Sequence, residues 1–202
     1  MICQILLFFY FIHSCQSLLL VPYIIQRFLP TKRIIKNILP IKTEKNITIS
    51  NYLGLWNQVA TSRSTRLFGT GVSFTNVSAY YNLLNNTNIG VYNSGYDQDH
   101  NFTSISGYSY VQGKLQTKRK LHFDGVSIDG NYWIVKLGPI INNTYSYAVV
   151  SGALTSFFGT RFSLYVLARD REEYKLKYET KVKKWCRKNN YIYFWNKYIP
   201  TN

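Results

Sequence analysis

Between about residue 51 and residue 169, apolar and polar positions alternate in short runs separated by turn residues. A period of two is the mark of strands with one face against a core. Strands are predicted at 54–61, 72–83, 87–94, 103–112, 117–125, 131–137, 144–151 and 162–169. Turn chemistry separates them: Asn85-Asn86-Thr87-Asn88, Asp97-Gln98-Asp99-His100-Asn101, Gly113 and Asp129-Gly130, residue types that bond their own backbone or accept a positive φ. From Asp170 the period changes. Tyr174, Tyr178, Val182 and Trp185 recur at helical spacing with Lys and Glu between them, which predicts an amphipathic helix over 171–188 with an aromatic stripe facing the core. Tyr191-Ile192-Tyr193-Phe194-Trp195 reads as a short last strand. Eight short strands in sequence and a closing helix describe an all-β fold, a meandering antiparallel barrel followed by a C-terminal helix.

The first fifty residues follow other rules. Residues 2–12 form an apolar run broken by Gln4, leading into His13-Ser14-Cys15-Gln16-Ser17. This is the form of a short secretory segment cleaved after Ser17, although no Lys or Arg precedes the run. The second reading is an uncleaved anchor over 1–25, close to the shortest length that spans a bilayer. The His13-Ser14-Cys15 run fits a lipoprotein box poorly. Residues 18–50 are basic, carry Pro22, Pro30 and Pro40 and show no clean period, so they read as a linker or a loosely docked arm ahead of a domain over 51–202. The expected location is secreted or membrane-tethered.

Several motifs lie in an order that resembles one family. Tyr52-Leu53-Gly54-Leu55-Trp56 opens the domain, and the alternating strand Phe162-Ser163-Leu164-Tyr165-Val166-Leu167-Ala168 closes it with Arg169. Between them, Ala79 to Leu83, Val91 to Asn93 and the runs at 131–137 and 145–152 resemble successive strands of the lipocalins, in the branch that includes the bacterial and apolipoprotein D-like members. The likeness covers roughly 51–196 and implies an eight-stranded up-and-down antiparallel β-barrel with the C-terminal α-helix packed outside. It implies that Trp56 plugs the closed end of a cup, that Arg169 lies across the indole, and that Gly54 lets the chain turn in where a side chain would collide. Asn57, Gln58 and Thr61 depart from the family pattern, as does Asn142 after an insertion around Pro139-Ile140-Ile141. A borrowed ligand preference is therefore not carried over.

Charge changes the picture only at the ends. The formal net charge is +15, which raises nucleic acid as a partner. Its distribution argues otherwise. Residues 27–45 hold six Lys/Arg against one Glu and 169–202 hold ten against four acids, whereas 51–168 hold eight against four. Basic ends beside an apolar segment suit an anionic membrane surface, and no nucleic-acid motif accompanies them. Aromatic residues make up 17% of the chain, with 18 tyrosines; half-buried strands tolerate this well, and an AT-rich coding style contributes to it. Cys3, Cys15 and Cys186 leave at most one thiol in a processed chain. Sequons at Asn46, Asn85, Asn101 and Asn142 are candidate glycosylation sites; a fifth, Asn76, falls inside a predicted strand.

No nucleophile–base pair, phosphate loop or metal spacing is present in the sequence, so no enzyme, no metal and no cofactor are expected. His122 alternates with Leu121 and Phe123 and should point away from them. Choosing the more apolar alternate set on each strand gives a candidate lining of Ala79, Tyr81, Leu83, Tyr108, Tyr110, Leu121, Phe123, Trp133, Val135, Leu164 and Val166. Such a cup suits an acyl chain or another small hydrophobic ligand, a fatty acid or lysophospholipid, to be bound, carried or stored. The alternative is a barrel filled by its own aromatics, a non-enzymatic scaffold that meets anionic membranes through its basic arms. A barrel enzyme would need a reactive group inside the cup, such as His122 or Cys186.

Overall fold

The protein is described by a computed structural model covering residues 42–66, 74–156 and 159–201, with backbone alone for 154–156 and 159–161. The signal or anchor segment, the linker up to residue 41, Cys3, Cys15 and residues 72–73 of the second predicted strand lie outside the described residues.

A short helix α1 (Ile49–Tyr52) leads into β1 (Gly54–Ser62) and the turn α2 (Arg63–Thr65). There follow β2 (Thr75–Leu83), β3 (Ile89–Tyr96), β4 (Phe102–Val111), β5 (Lys118–Phe123), β6 (Gly130–Leu137), the small hairpin β7 (Ile140–Ile141) and β8 (Thr144–Tyr145), then β9 (Tyr147–Ser156) and β10 (Gly159–Ala168). The sheet runs in the order β10-β9-β6-β5-β4-β3-β2-β1 and closes because β10 also pairs with β1, from Asn57 opposite Ala168 to Thr61 opposite Tyr165. This is a closed eight-stranded antiparallel barrel, and closure removes the sheet edges that would otherwise pair with other chains. The insertion around Pro139 folds as the β7–β8 hairpin.

The helical segment α3 follows directly, as a turn Arg171–Glu173, a π turn Tyr174–Tyr178 and an α-helix Glu179–Lys188. Asp170 caps it by accepting from the backbone N–H of Glu173 at 2.7 Å, which satisfies one of the orphan donors of the first turn. Tyr174 and Tyr178 both pack on Tyr147, at 6.0 and 5.2 Å between ring centroids. Val182 and Cys186 are fully buried beneath the helix, and burial pushes the Cys186 thiol up to about 12. The last strand is β11 (Tyr198–Pro200), paired with the far half of β1. The predicted strand at 191–195 is instead an irregular turn: Tyr191 and Ile192 are buried while Tyr193, Phe194 and Trp195 point into solvent, so the aromatic run does not alternate in the sense a strand requires.

Two apolar clusters result. One fills the base of the barrel, around Trp56, Tyr81, Val91, Phe123, Ile134, Val150 and Leu167. The other lies outside the wall beneath α3, around Val135, Val149, Leu164, Val166, Tyr174 and Val182. Each large aliphatic side chain so buried contributes about 1.5–3 kcal/mol, so β6, β9 and β10 are stabilised from both faces.

The stretch before the barrel is docked as well. Glu44 crosses the closed end, where its N–H donates to the Ile134 carbonyl at 2.9 Å, its carbonyl accepts from Thr117 Oγ1 at 2.6 Å and its carboxylate accepts from the Leu137 N–H at 3.3 Å. Ile47 and Ile49 pack on the inner cluster.

Candidate ligand-binding site

The closed end is built first. Gly54 has φ +92°, and a Cβ there would come no nearer than 3.5 Å, to Arg169 Nη1. That is ordinary contact, so the left-handed backbone requires the glycine and the expected collision does not occur. Trp56 is fully buried and donates its indole N–H to the Tyr52 carbonyl at 2.7 Å. The Arg169 guanidinium lies 3.8 Å from the indole centroid, a cation on the negative face of the ring. Its Nη groups donate to the carbonyls of Asn51, Tyr52, Leu53 and Leu55, which pins the entering chain under the barrel. Burial lowers the guanidinium's pKa from its ordinary value, yet an arginine stays charged under such conditions.

A second buried cation escaped the sequence reading. Arg119 is 1% exposed, and among the described residues no carboxylate pairs with it. Neutral acceptors engage it instead: Nε donates to Ser109 Oγ at 2.9 Å, Nη1 to the Gln116 carbonyl and side chain, and Nη2 to the carbonyls of Thr87 (2.6 Å) and Ser109 (2.9 Å). A guanidinium has five N–H groups, and five bonds account for them. Arg119 therefore ties the turns at the closed end together and has no donor left for an anionic ligand. The signal was its parity with Leu121 and Phe123, masked by the lysines on either side.

Above these cations lies an aromatic floor. The hydroxyls of Tyr52 and Tyr132 meet at 2.6 Å, and Tyr132 donates to Tyr81 at 2.9 Å. The ring of Tyr52 packs on Trp56 at 5.1 Å and on Tyr81 at 5.5 Å. Burial is the first cause that raises all three phenols, Tyr81 to about 12.

Paired residues on neighbouring strands share a face, so register identifies the lining. Trp56, Ala79, Asn93 and Ile105 form one row across β1 to β4. Tyr81, Val91, Gly107 and Phe123 form the next. Ser109 faces Leu121, Arg119 faces Tyr132, and Ile134 faces Val150, which faces Tyr165. Of these inward side chains, Asn93, Ile105, Leu121, Tyr132 and Tyr165 keep partial accessibility inside a closed wall. Asn93 Oδ1 is buried and has no hydrogen-bond partner. Burial pushes the Tyr165 phenol up to about 12.

Ala79, Tyr81, Leu121 and Phe123 are thus brought together on the inner face. Leu83 belongs to the same alternate set but ends its strand beside a turn, 51% exposed. The rest of the candidate lining lies outside. Tyr108 and Tyr110 pair with His122 and Lys120 on the solvent face, because the inner positions of β4 are the small Gly107 and Ser109. Trp133, Val135, Leu164 and Val166 belong to the cluster beneath α3. On these strands both faces are buried, and the inner set carries hydroxyls, so the more apolar set is the outer one. A register shift between Ile134 and Lys136 returns Leu137 to the inner cluster.

His122 also lies outside, ring against Tyr108 at 5.0 Å, with Nδ1 2.9 Å from Asp129 Oδ1. Tyr110 donates to the other oxygen of Asp129, and that bond is the first reason the carboxyl sits below its usual range. The sequon residues Asn46, Asn85, Asn101 and Asn142 are all exposed.

A closed cup with a capped base and a side-chain-lined interior defines a barrel of the ligand-carrier type. The lipocalin-like domain model matches residues 47–193, and the chain belongs to the lipocalins. Insecticyanin from the tobacco hornworm Manduca sexta is similar in structure, with a TM-score of 0.61 at 14% identity over 81% of this chain and 85% of that one. Apocrustacyanin C1 gives 0.56 at 16% identity over 76% and 78%. The amine binding protein of Rhodnius prolixus, solved with tryptamine, gives 0.50 at 14% over 74% and 79%. At these identities the likeness is one of fold. No curated protein sequence matches the chain.

Proposed function

We propose that the protein binds an elongated, uncharged or fatty-acid-like lipid in its cup and carries or stores it without chemical change. The observation that supports this most directly is the partial accessibility of Asn93, Ile105, Leu121, Tyr132 and Tyr165 on the inner face of a closed wall. Side chains that filled the cup would have lost it. The walls are apolar, with the Asn93 side chain and the phenol of Tyr165 as partly accessible neutral polar groups. Among the described side chains no carboxylate lies on the inner face, so a cationic amine of the kind named for the Rhodnius protein would be buried without a counter-charge, which is costly. An acyl chain whose carboxylate stays in water at the mouth meets no such penalty and gains about 0.8 kcal/mol per buried methylene.

The test is a titration of lipid-free protein with a fluorescent long-chain fatty acid, read by tryptophan quenching. Saturable one-to-one uptake, displaced by unlabelled lipid and not by tryptamine, is the expected result. A folded barrel that takes up neither compound would return the protein to the filled-scaffold alternative.

A further inference from the structure

Residues 193–195 form the most exposed aromatic group among the described residues: Tyr193 is 51%, Phe194 75% and Trp195 71% accessible. They do not belong to a loose end. Tyr191, Ile192, Asn196 and Tyr198 on either side are buried. Asn196 clamps the turn, donating from Nδ2 to the Tyr191 carbonyl at 2.8 Å and accepting at Oδ1 from the Ser64 N–H at 2.7 Å. The Arg63 N–H donates to the Lys197 carbonyl at 2.9 Å. Phe194 and Trp195 meet edge to face at 4.7 Å. The turn is therefore a built knob that holds its aromatics in water at a standing hydrophobic cost.

Its position and its charge identify what covers it. β1 runs from the closed end at Gly54 and Trp56 to Ser62, so Arg63 and Ser64, which hold the knob, stand at the mouth of the cup. From residue 181 to residue 197 the chain carries six Lys/Arg and no Asp or Glu. Of these, Lys184, Arg187, Lys188 and Lys197 are exposed, as is Arg63. Exposed Trp, Tyr and Phe beside a segment of exposed cations match the interface of an anionic bilayer, where rings settle among headgroups and each cation nearby strengthens binding roughly fivefold.

We infer that residues 193–195, with Arg63, Lys184, Arg187, Lys188 and Lys197, form a docking surface for anionic phospholipid that sets the mouth of the cup against the membrane. Its geometry stands independently, but its use rests on the cup reading above: a mouth held at the bilayer lets a lipid pass between membrane and barrel without crossing water.

The experiment compares the full-length protein with its Phe194→Ser/Trp195→Ser and Lys184→Glu/Lys188→Glu variants. Each is sedimented with vesicles of phosphatidylcholine and phosphatidylserine, and with phosphatidylcholine alone. Both pairs are exposed, so melting temperatures should match that of the unaltered protein. The expected result is preference for the anionic vesicles, weakened by salt, with partition reduced at least about tenfold by either double substitution. Trp195→Phe should retain binding but lose the quenching of tryptophan fluorescence by brominated lipid. Equal partition of both variants and the unaltered chain would overturn the inference by assigning membrane binding to the N-terminal segment. Self-association without vesicles, abolished by Phe194→Ser/Trp195→Ser, would overturn it in favour of a second copy as the occupant. Fatty-acid uptake without vesicles should be the same in all forms. Loss of that uptake alone fails the cup reading and leaves the docking surface standing.

Discussion

The closed end of the barrel and the cup above it share strands but differ in how much of their inner surface is accessible. At the closed end Trp56 is fully buried, Arg169 gives its Nη groups to four carbonyls, and Arg119 engages all its donors. In the cup Asn93, Ile105, Leu121 and Tyr165 keep accessible surface. Apart from Arg169 Nε, which has no partner, the guanidinium donors of the base are engaged, and such a dense network specifies one structure. Side chains that keep accessible surface inside a closed wall are the ones an incoming ligand would touch. The base is where substitutions should cost stability, and the cup is where they should cost binding.

The largest expected effect breaks the base. Trp56→Ala removes the plug and should cost about 3–5 kcal/mol, read by urea unfolding; a loss below about 1 kcal/mol would show that the indole does not close the barrel. Next, Arg119→Met takes the guanidinium from the buried carbonyl and hydroxyl of Ser109 and releases the Thr87 turn, and should cost about 1–3 kcal/mol, with unaltered fatty-acid affinity in whatever fraction stays folded. Alkaline pH tests the same base without mutation. The Tyr81 phenol ionises near its ordinary value of 10 in the unfolded chain and near 12 in the fold. The stability it contributes is complete below about pH 10 and is lost as pH rises toward about 12, so the melting temperature should fall across that window. A flat profile there would mean the phenols are not buried as described. Smallest in stability is Tyr165→Phe, which should change unfolding by less than about 1 kcal/mol and yet weaken a hydroxyl-binding ligand about threefold to tenfold. Equal affinity would show that this hydroxyl does not touch the ligand.

How much of this was legible depends on what covers each strand. Along β2 and β5 the outer face meets water, and alternation picked out Ala79, Tyr81, Leu121 and Phe123 on the inner side. Along β6 and β10 the helix buries the outer face, so Trp133, Leu164 and Val166 are as apolar as any lining residue while pointing the other way. Alternation alone cannot distinguish two buried faces. The helix itself was legible at 171–188, and its existence was the clue that some outer set had to be apolar. On β4 the error had another source: large tyrosines were preferred where the wall admits Gly107 and Ser109. The pairing of Trp56 with Arg169, more than a hundred residues apart in sequence, came only through the family resemblance. Arg119 stands between Lys118 and Lys120 in the sequence, and only register places it on the inner face with Leu121 and Phe123.

The measurement that tests the central claim most directly is fatty-acid titration of Ile105→Trp beside the unaltered protein. Ile105 stands in the row of Trp56, Ala79 and Asn93 on the inner wall, and an indole there would occupy the hollow. The account predicts a barrel that melts within a few degrees of the unaltered one and binds at least about tenfold more weakly. Undiminished binding by a folded Ile105→Trp barrel would place the ligand outside the cup and contradict it.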